Sequence, residues 1–397
     1  MSDQSDTFAP LLLIAGGGIG GLAAALLLSE RGWRVRILEK RHLDSEEGAG
    51  IQIGPNGSRV LCDLGLGTAL ADQICEPDGI DVWDGVAGHR LTTLPLGRWL
   101  AQRHGAPYWV LHRADLHSAL LKRAQQNERI EITEAAAVEN VAESPGGVAI
   151  SLRTGETLNA EALIAADGLW SQIRRKQFDA AEPVFIGKCA ARAVIPAAHM
   201  PREIAANRTN VWLRPGTHVV HYPVRAGREI AIVVIFEAAE AGPGWAADLE
   251  RERLLTLAAQ FPSPLRELLA QPVTWRQWSL HACRPLRRWS TQRVALLGDA
   301  AHPILPFLAQ GGVMALEDAY VLAQELQPDP ERDIGASLAR YAQRRRPRVE
   351  RVMAASARNG KIYHLSGPAR WVRNRVLAQT PARRLMAGYD WLYGWRA

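Results

Sequence analysis

Gly16, Gly18 and Gly21 fit the spacing G-x-G-x-x-G, with Ile19 and Gly20 completing the loop. Between a strand and a helix, such glycines permit a tight turn and let backbone N–H groups approach a pyrophosphate at the positive end of the helix. Glu39, followed by Lys40 and Arg41, ends the next strand-like run, where an acid accepts hydrogen bonds from a ribose. Together they signal a dinucleotide without choosing which. His218 and Tyr222 form a second candidate group: four residues apart on one strand, they share a face by the period of two, and such a pair suits moving a proton. Arg192 and Arg225 are candidates to pair with a substrate carboxylate.

These side chains need elements to hold them. Leu11–Ala15 is a short apolar run, as expected of a parallel strand covered on both faces. A helix over 22–31 ending at Gly32 and a strand over 35–39 complete the first unit. The rhythm lapses over 80–105 and returns as a strand at 108–112 and a helix at 115–125. Residues 130–133, 138–141, 148–153 and 158–165 read as strands. Residues 182–284 read as a separate layer, with strands at 191–195, 209–213, 218–223 and 229–237 implying an antiparallel sheet, then a helical stretch over 250–270. A buried strand at 294–297 leads into a loop at Gly298, a helix from about Gly311, and a mostly helical chain from Ala315 onward. The expected class is α/β. A Rossmann-like nucleotide domain (1–80, 106–181 and 285–345) is interrupted by a mostly antiparallel β-sheet substrate domain (81–105 and 182–284), and 346–397 forms a helical C-terminal segment.

The 397 residues are 47% hydrophobic and 22% charged, ordinary globular usage. The first ten residues lack Lys and Arg, so they offer no positive head for a targeting segment. No window approaches the roughly 20 apolar residues of a membrane-spanning helix. The expectation is a cytoplasmic protein, monomeric or homodimeric. Cys62, Cys75, Cys189 and Cys283 stand apart with no CxxC or Cys/His pairing, which argues against a metal site or a disulfide framework. The net charge of +6 comes from scattered arginines, some read as attracting an anionic nucleotide and an acidic substrate. No basic stretch interleaves aromatics outside the tail, so no nucleic-acid partner is expected. The tail carries Trp371, Tyr389, Trp391, Tyr393 and Trp395 among arginines; it either touches a membrane surface peripherally or packs as helices on the core or a subunit interface.

Asp167-Gly168 with Ser171 and Arg174 reads D-G-x-x-S-x-x-R. Gly298-Asp299-Ala300-Ala301-His302-Pro303 is followed by Pro306, Gln310-Gly311-Gly312 and Glu317-Asp318-Ala319. With the first glycine loop, this triple pattern resembles the single-component flavoprotein aromatic hydroxylases over essentially the whole chain. Within them it looks most like the salicylate hydroxylase, 3-hydroxybenzoate 6-hydroxylase and 6-hydroxynicotinate 3-monooxygenase group. The carrying residues are Gly48-Ala49-Gly50-Ile51-Gln52-Ile53-Gly54-Pro55-Asn56, His112-Arg113-Ala114-Asp115-Leu116, His221-Tyr222-Pro223, the run from Pro306 to Gly311, Arg344 to Pro347, and Tyr363-His364-Leu365.

The resemblance makes the Rossmann-like domain an FAD-binding domain. It implies NADH or NADPH as transient electron donor, molecular oxygen as co-substrate, and hydroxylation of a small phenolic or carboxylated aromatic through a flavin hydroperoxide. Cofactor contacts would come from the Gly16–Gly21 loop, Glu39, Lys40, Arg41, Ile51, Gln52, Arg113, Val138, Asp167, Asp299, Pro306, Gly311, Gly312 and Val313. Gly311 and Gly312 at a helix start offer N–H donors and a positive dipole end to the reduced ring. Asp167 would contact both FAD and the nicotinamide cofactor, the alternative being a capped turn with Arg174 in solvent. His218 and Tyr222 match the His/Tyr pair of the related hydroxylases; His302 and Pro306 would shape the reaction site, with Phe307 as an apolar border. Three positions depart from the pattern: Gln52 replaces the histidine of the hydroxynicotinate enzyme, the 190–193 strand lacks its usual Trp and Gly, and Ala231 replaces an Asn. Two other readings fit the same motifs, a hydroxylase of a larger quinone-like or polycyclic product and a non-catalytic flavin-binding protein. Trp275-Arg276-Gln277-Trp278 lacks the Ile-Pro of the halogenase motif.

Overall fold

A computed structural model describes residues 9–43, 49–204, 206–242, 246–329, 331 and 333–397. Residues 1–8, and Gly48 of the 48–56 segment, lie outside the described residues. In chain order the strands are β1 (Leu11–Ala15), β2 (Arg34–Leu38), β3 (Gly50–Ile53), β4 (Gly79–Asp84), β5 (Arg90–Pro95), β6 (Trp109–His112), β7 (Ile130–Thr133), β8 (Val138–Ser144), β9 (Gly147–Leu152), β10 (Thr157–Ala160), β11 (Ala162–Ala165), β12 (Val184–Pro196), β13 (Thr209–Arg214), β14 (Thr217–Val224), β15 (Glu229–Glu237), β16 (Ala246–Asp248), β17 (Arg276–Ala282) and β18 (Val294–Leu296).

A parallel five-stranded sheet in the order β18-β11-β1-β2-β7 carries the nucleotide motifs. Leu12, Leu13 and Ile14 and all of β11 are buried, each large apolar side chain contributing about 1.5–3 kcal/mol. The first helix runs Ile19–Ser29, three residues earlier than expected, because extended Gly18 ends the loop and Ile19 to Gly21 already form its first turn. It packs closely on the Gly311–Glu325 helix: a Cβ on Gly20 would lie 3.0 Å from that of Ala315. The single strand expected over 158–165 is two. β10 pairs antiparallel with β9, while β11 lies parallel to β1, and the switch between sheets leaves no break in apolar periodicity.

The second layer is an eight-stranded sheet, β16-β17-β12-β15-β14-β13-β4-β5. It is antiparallel except where β4 joins β13 in parallel. The rhythmless 80–105 stretch thus supplies an edge hairpin, in which Trp83 stacks on Trp212 at 4.6 Å, and the Gly97–His104 helix. One face of the sheet is covered by helices Arg251–Ala258 and Ser263–Ala270, which Pro262 separates where one helical stretch was expected. The other face turns toward the nucleotide sheet, where Tyr222, Val224 and Ala231 join its core.

Helix Ile334–Tyr363 runs through the expected 345/346 domain boundary and keeps Pro347 inside it. Of the tail aromatics, Tyr393 is buried and Tyr389, Trp391 and Trp395 pack on the main core. Trp371 is 64% exposed.

Candidate functional site

Gly16 has φ +112°, and a Cβ there would lie 2.4 Å from the Ala166 carbonyl oxygen. No side chain fits where β1, β11 and the first helix converge. Glu39 accepts the Gly17 N–H at 2.8 Å and the Arg41 N–H at 2.9 Å; a carboxylate retains lone pairs for a ribose. His117, unremarked in the sequence, bonds through Nε2 to the Gly17 carbonyl at 2.7 Å and fastens the loop from the Arg113–Gln125 helix. The Ala136 N–H donates to the Glu39 carbonyl, tying the segment that leads into β8 and Val138 to the end of β2. Lys40 lies within electrostatic reach of Asp167, as does Arg113 of Asp299.

Nothing lies within 4 Å of where a Cβ on Gly18 or Gly311 would stand, and Asp299 is exposed. Gly311, Gly312 and Val313 form the first turn of their helix, whose N–H groups have no intrahelical partner. The Val313 side chain packs on Gly57, and Ile51 reaches within 3.1 Å of where a Gly312 Cβ would be. An anion-binding loop, a carboxylate for a ribose, and a row of free N–H donors at the far end suit a long dinucleotide with an electron-accepting ring. The residues therefore fit FAD.

Asp167 accepts the Gln172 N–H at 3.1 Å, and Ser171 caps its helix through the Arg174 N–H at 2.9 Å. The turn is capped, but Arg174 is buried rather than solvated and donates to the Leu169 carbonyl. Burial pushes the Asp167 carboxyl up, and its Oδ1 is buried without a partner.

A buried charge network braces the Gly311–Glu325 helix. Arg345 bonds Asp318 at 2.6 Å and Glu317 at 2.7 Å. Arg348 bonds both oxygens of Glu317 at 2.6 Å and also the Trp391 and Leu392 carbonyls. Asn56 donates to Glu317 and to Gln310, and Asp318 accepts the Gly298 N–H. The Glu317-Asp318 and Arg344–Pro347 motifs are thus halves of one structure. His302 belongs to it: its Nε2 lies 2.5 Å from Asp318 and its ring 5.0 Å from Trp289. Against the opposing effect of burial, His302 and Arg345 hold the Asp318 carboxyl at about 2. His302 fixes the loop that carries Asp299.

Three of the proposed reacting groups share the inner face of the large sheet. Register places Arg192 opposite Val233 and Val220, Tyr222 opposite Ala231, and His218 opposite Ile235. With strands about 4.8 Å apart and about 3.4 Å per residue, the Arg192 Cα lies roughly 12 Å from those of His218 and Tyr222. Tyr222 lies on the backbone of β3: a Cβ on Gly50 would come within 2.4 Å of its ring. Its hydroxyl bonds Gln52, which also accepts from Tyr108 at 2.8 Å. Burial raises the Tyr222 phenol despite the charge of Arg192, so Tyr222 stays protonated.

His218 is buried, 5.7 Å from the Phe307 ring and 5.2 Å from Tyr363. Its Nδ1 lies 2.8 Å from His364 Nε2. Burial first, then His364 and Lys188, depress its protonation well below the ordinary histidine value. His221 points to the opposite face, as the period of two requires, and its Nε2 accepts from Trp212 at 3.1 Å. The turn holding Pro306 and Phe307 is tied down by Ser356, whose hydroxyl donates to the Leu305 carbonyl at 2.6 Å.

Arg192 stacks its guanidinium 4.9 Å from the Trp278 ring centroid, and its Nε is buried without a hydrogen-bond partner. Burial lowers its pKa. Arg225 departs from expectation: it stands at the β14–β15 turn with φ +52° and pairs with Asp115 at 3.2 Å and Glu229 at 3.1 Å. Those pairs hold the hairpin onto the Arg113–Gln125 helix, so Arg225 is removed from the substrate set.

Residues 10–356 match the FAD binding domain family. The chain is 34% identical over 384 residues to 3-hydroxybenzoate 6-hydroxylase of Klebsiella oxytoca, covering 97% of this chain and 96% of that protein. It is 35% identical over 393 residues to 3-hydroxybenzoate 6-hydroxylase of Polaromonas naphthalenivorans (strain CJ2), covering 99% and 98%. A solved salicylate hydroxylase substrate complex superposes with a TM-score of 0.82 at 25% identity, covering 98% of this chain and 96% of that one.

Proposed function

Because the chain belongs to the FAD binding domain family and is an FAD-dependent aromatic hydroxylase, we propose that its substrate is a single aromatic ring bearing both a phenolic hydroxyl and a carboxylate. The observation that carries this reading is Arg192, a guanidinium with a buried, unpartnered Nε on the face that bears His218 and Tyr222. The substrate named for the two hydroxybenzoate relatives has the same two groups.

When bound, FAD supplies electron transfer from NADH or NADPH and activation of molecular oxygen, which ordinary side chains do not provide. The chain's own residues orient the ring and manage its proton. Arg192 takes the carboxylate by two parallel N–H bonds. With Nδ1 engaged by His364, His218 offers Nε2 to the phenolic oxygen; kept neutral by burial, it can receive that proton and raise the electron density of the ring. Tyr222 holds the same region as a neutral hydroxyl fixed by Gln52. Pro306 and Phe307 exclude water from the reacting edge. The open N–H groups of Gly311, Gly312 and Val313, with the helix dipole, would favour negative charge on a reduced cofactor ring held there.

The test is oxidation of NADH and of NADPH by the FAD-loaded protein with 3-hydroxybenzoate, salicylate, 6-hydroxynicotinate and unsubstituted phenol, with hydroxylated product and hydrogen peroxide both measured. Carboxylated phenols are expected to stimulate oxidation and to yield hydroxylated product. Bound FAD with no stimulation by any of them would point to a larger substrate or a non-catalytic flavoprotein and end this reading.

A further inference from the structure

We propose that Gly360 determines substrate specificity: by leaving room for the Phe307 ring, it sets how large a group the aromatic substrate can carry next to its phenolic carbon, on the side away from the carboxylate. The inference rests on the proposed placement of the carboxylate at Arg192 and of the phenolic oxygen at His218. Gly360 acts through Phe307 and is a positioning residue.

Glycine weakens the interior of a helix relative to alanine, yet Gly360 stands buried in the last turns of Ile334–Tyr363. Its backbone is helical, so no left-handed conformation calls for glycine there. Space does. A Cβ on Gly360 would lie 2.7 Å from Cδ2 and from Cε2 of Phe307 and 3.1 Å from Cγ, so the ring rests directly on the helix backbone. Ser356, Gly360 and Tyr363 follow the i, i+4, i+7 spacing of one helix face. Ser356 donates to the Leu305 carbonyl at 2.6 Å, Gly360 receives Phe307, and Tyr363 meets the His218 ring edge-on at 5.2 Å. This face closes the reacting site over the sheet.

Phe307 has little freedom to retreat. On the sheet side it is buried with Ala190, Ile235 and Leu280, and its ring lies 5.7 Å from that of His218 and 6.3 Å from that of His364. Its turn is tethered at Leu305 by Ser356 and ends at Ala309 with φ +52°, a conformation that a non-glycine residue keeps only when its surroundings hold it. A methyl group at position 360 therefore displaces the ring, and the packed side chains beneath leave the substrate space beside His218 as the way out. Register fixes which part of the substrate meets it. Ala190, Ile235 and His218 form one row across β12, β15 and β14, and Arg192 lies in the next. A ring with its carboxylate on Arg192 and its hydroxyl at His218 turns the carbon beyond the hydroxyl toward Phe307. In 3-hydroxybenzoate that is carbon 4.

The test compares kcat/KM for 3-hydroxy-4-methylbenzoate with kcat/KM for 3-hydroxybenzoate in the FAD-loaded protein. Gly360→Ala is expected to lower that ratio at least about tenfold, as overpacking by one methyl group does. Adding Phe307→Leu to Gly360→Ala is expected to return the ratio to within about threefold of the unsubstituted value. Equal losses for the two acids, or a ratio that Phe307→Leu leaves low, would overturn the inference. If the unsubstituted protein accepts only the unmethylated acid, Phe307→Leu alone is expected to admit the methylated one, and its refusal would likewise overturn it. A crystal structure of Gly360→Ala is expected to show the Phe307 ring moved toward His218; a ring in its original place would overturn the inference whatever the kinetics. If the unsubstituted protein oxidises neither acid, the proposed substrate is wrong, and the position of the Phe307 ring alone decides the role of Gly360.

Discussion

Arg192→Met separates substrate recognition from fold maintenance. The guanidinium stacks on Trp278, no carboxylate pairs with it among the described residues, and its Nε is closed off from water. Methionine preserves much of the length and apolar contact while removing the charge. Truncating one partner of a buried charge pair costs about 2–5 kcal/mol of binding, or roughly 30- to 5,000-fold. That loss is expected in kcat/KM for 3-hydroxybenzoate. For phenol or 3-hydroxybenzamide, which bring no carboxylate, kcat/KM is expected to change by no more than about fivefold, since only the stacking contact of about 1 kcal/mol is altered. Denaturant unfolding supplies the second half of the test. Burial already disfavours the Arg192 charge, so the variant is expected to be at least as stable as the original. Equal losses for the acid and its amide would refute the reasoning. So would a stability loss of the roughly 3–5 kcal/mol that follows breaking a buried ion pair.

Three further outcomes are expected. His218→Asn should lower hydroxylation by about 10²–10⁴-fold with FAD retained, and loss of FAD instead would show that β14 is only structural. Arg345→Met leaves Glu317 and Asp318 with less compensation and should cost about 3–5 kcal/mol, with FAD washing off more readily on gel filtration; unchanged unfolding would show the network to be unimportant. Burial holds His218, His221 and His364 neutral, His221 at about 3 and His364 at about 4. The unfolded chain binds those protons near pH 6.5, so stability is full above that value. It should fall toward pH 4 by up to about 1.4 kcal/mol per pH unit per histidine, and denaturant titrations that agree at pH 8, 6 and 5 would contradict this.

The nucleotide half was legible because its requirements are local. Gly16, Gly21 and Glu39 are contiguous with the strand and helix they serve, and period and loop chemistry show in a short window. The pairing of Glu317 and Asp318 with Arg345 was visible only as two separate motifs, since a charge gives no sequence sign of its distant partner. His364 and Lys188 are 176 positions apart, brought together by a helix end and a strand opposite Glu237. Arg192 and Arg225 looked alike in sequence; packing alone separates them, Arg225 by Asp115 and Glu229 and Arg192 by their absence. The 80–105 stretch was illegible as strand because β4 and β5 form an edge hairpin carrying polar Asp81, Thr92 and Thr93, and its parallel union with β13 crosses more than a hundred residues.

The most direct test of the shared face is a crystal structure of the FAD-loaded protein with 3-hydroxybenzoate. The carboxylate is expected within about 3 Å of the Arg192 guanidinium, with the phenolic oxygen within hydrogen-bond reach of His218 Nε2 and the ring bordered by Tyr222, Pro306 and Phe307. A ring bound away from that face, or a carboxylate held by another cation with Arg192 empty, would contradict the account.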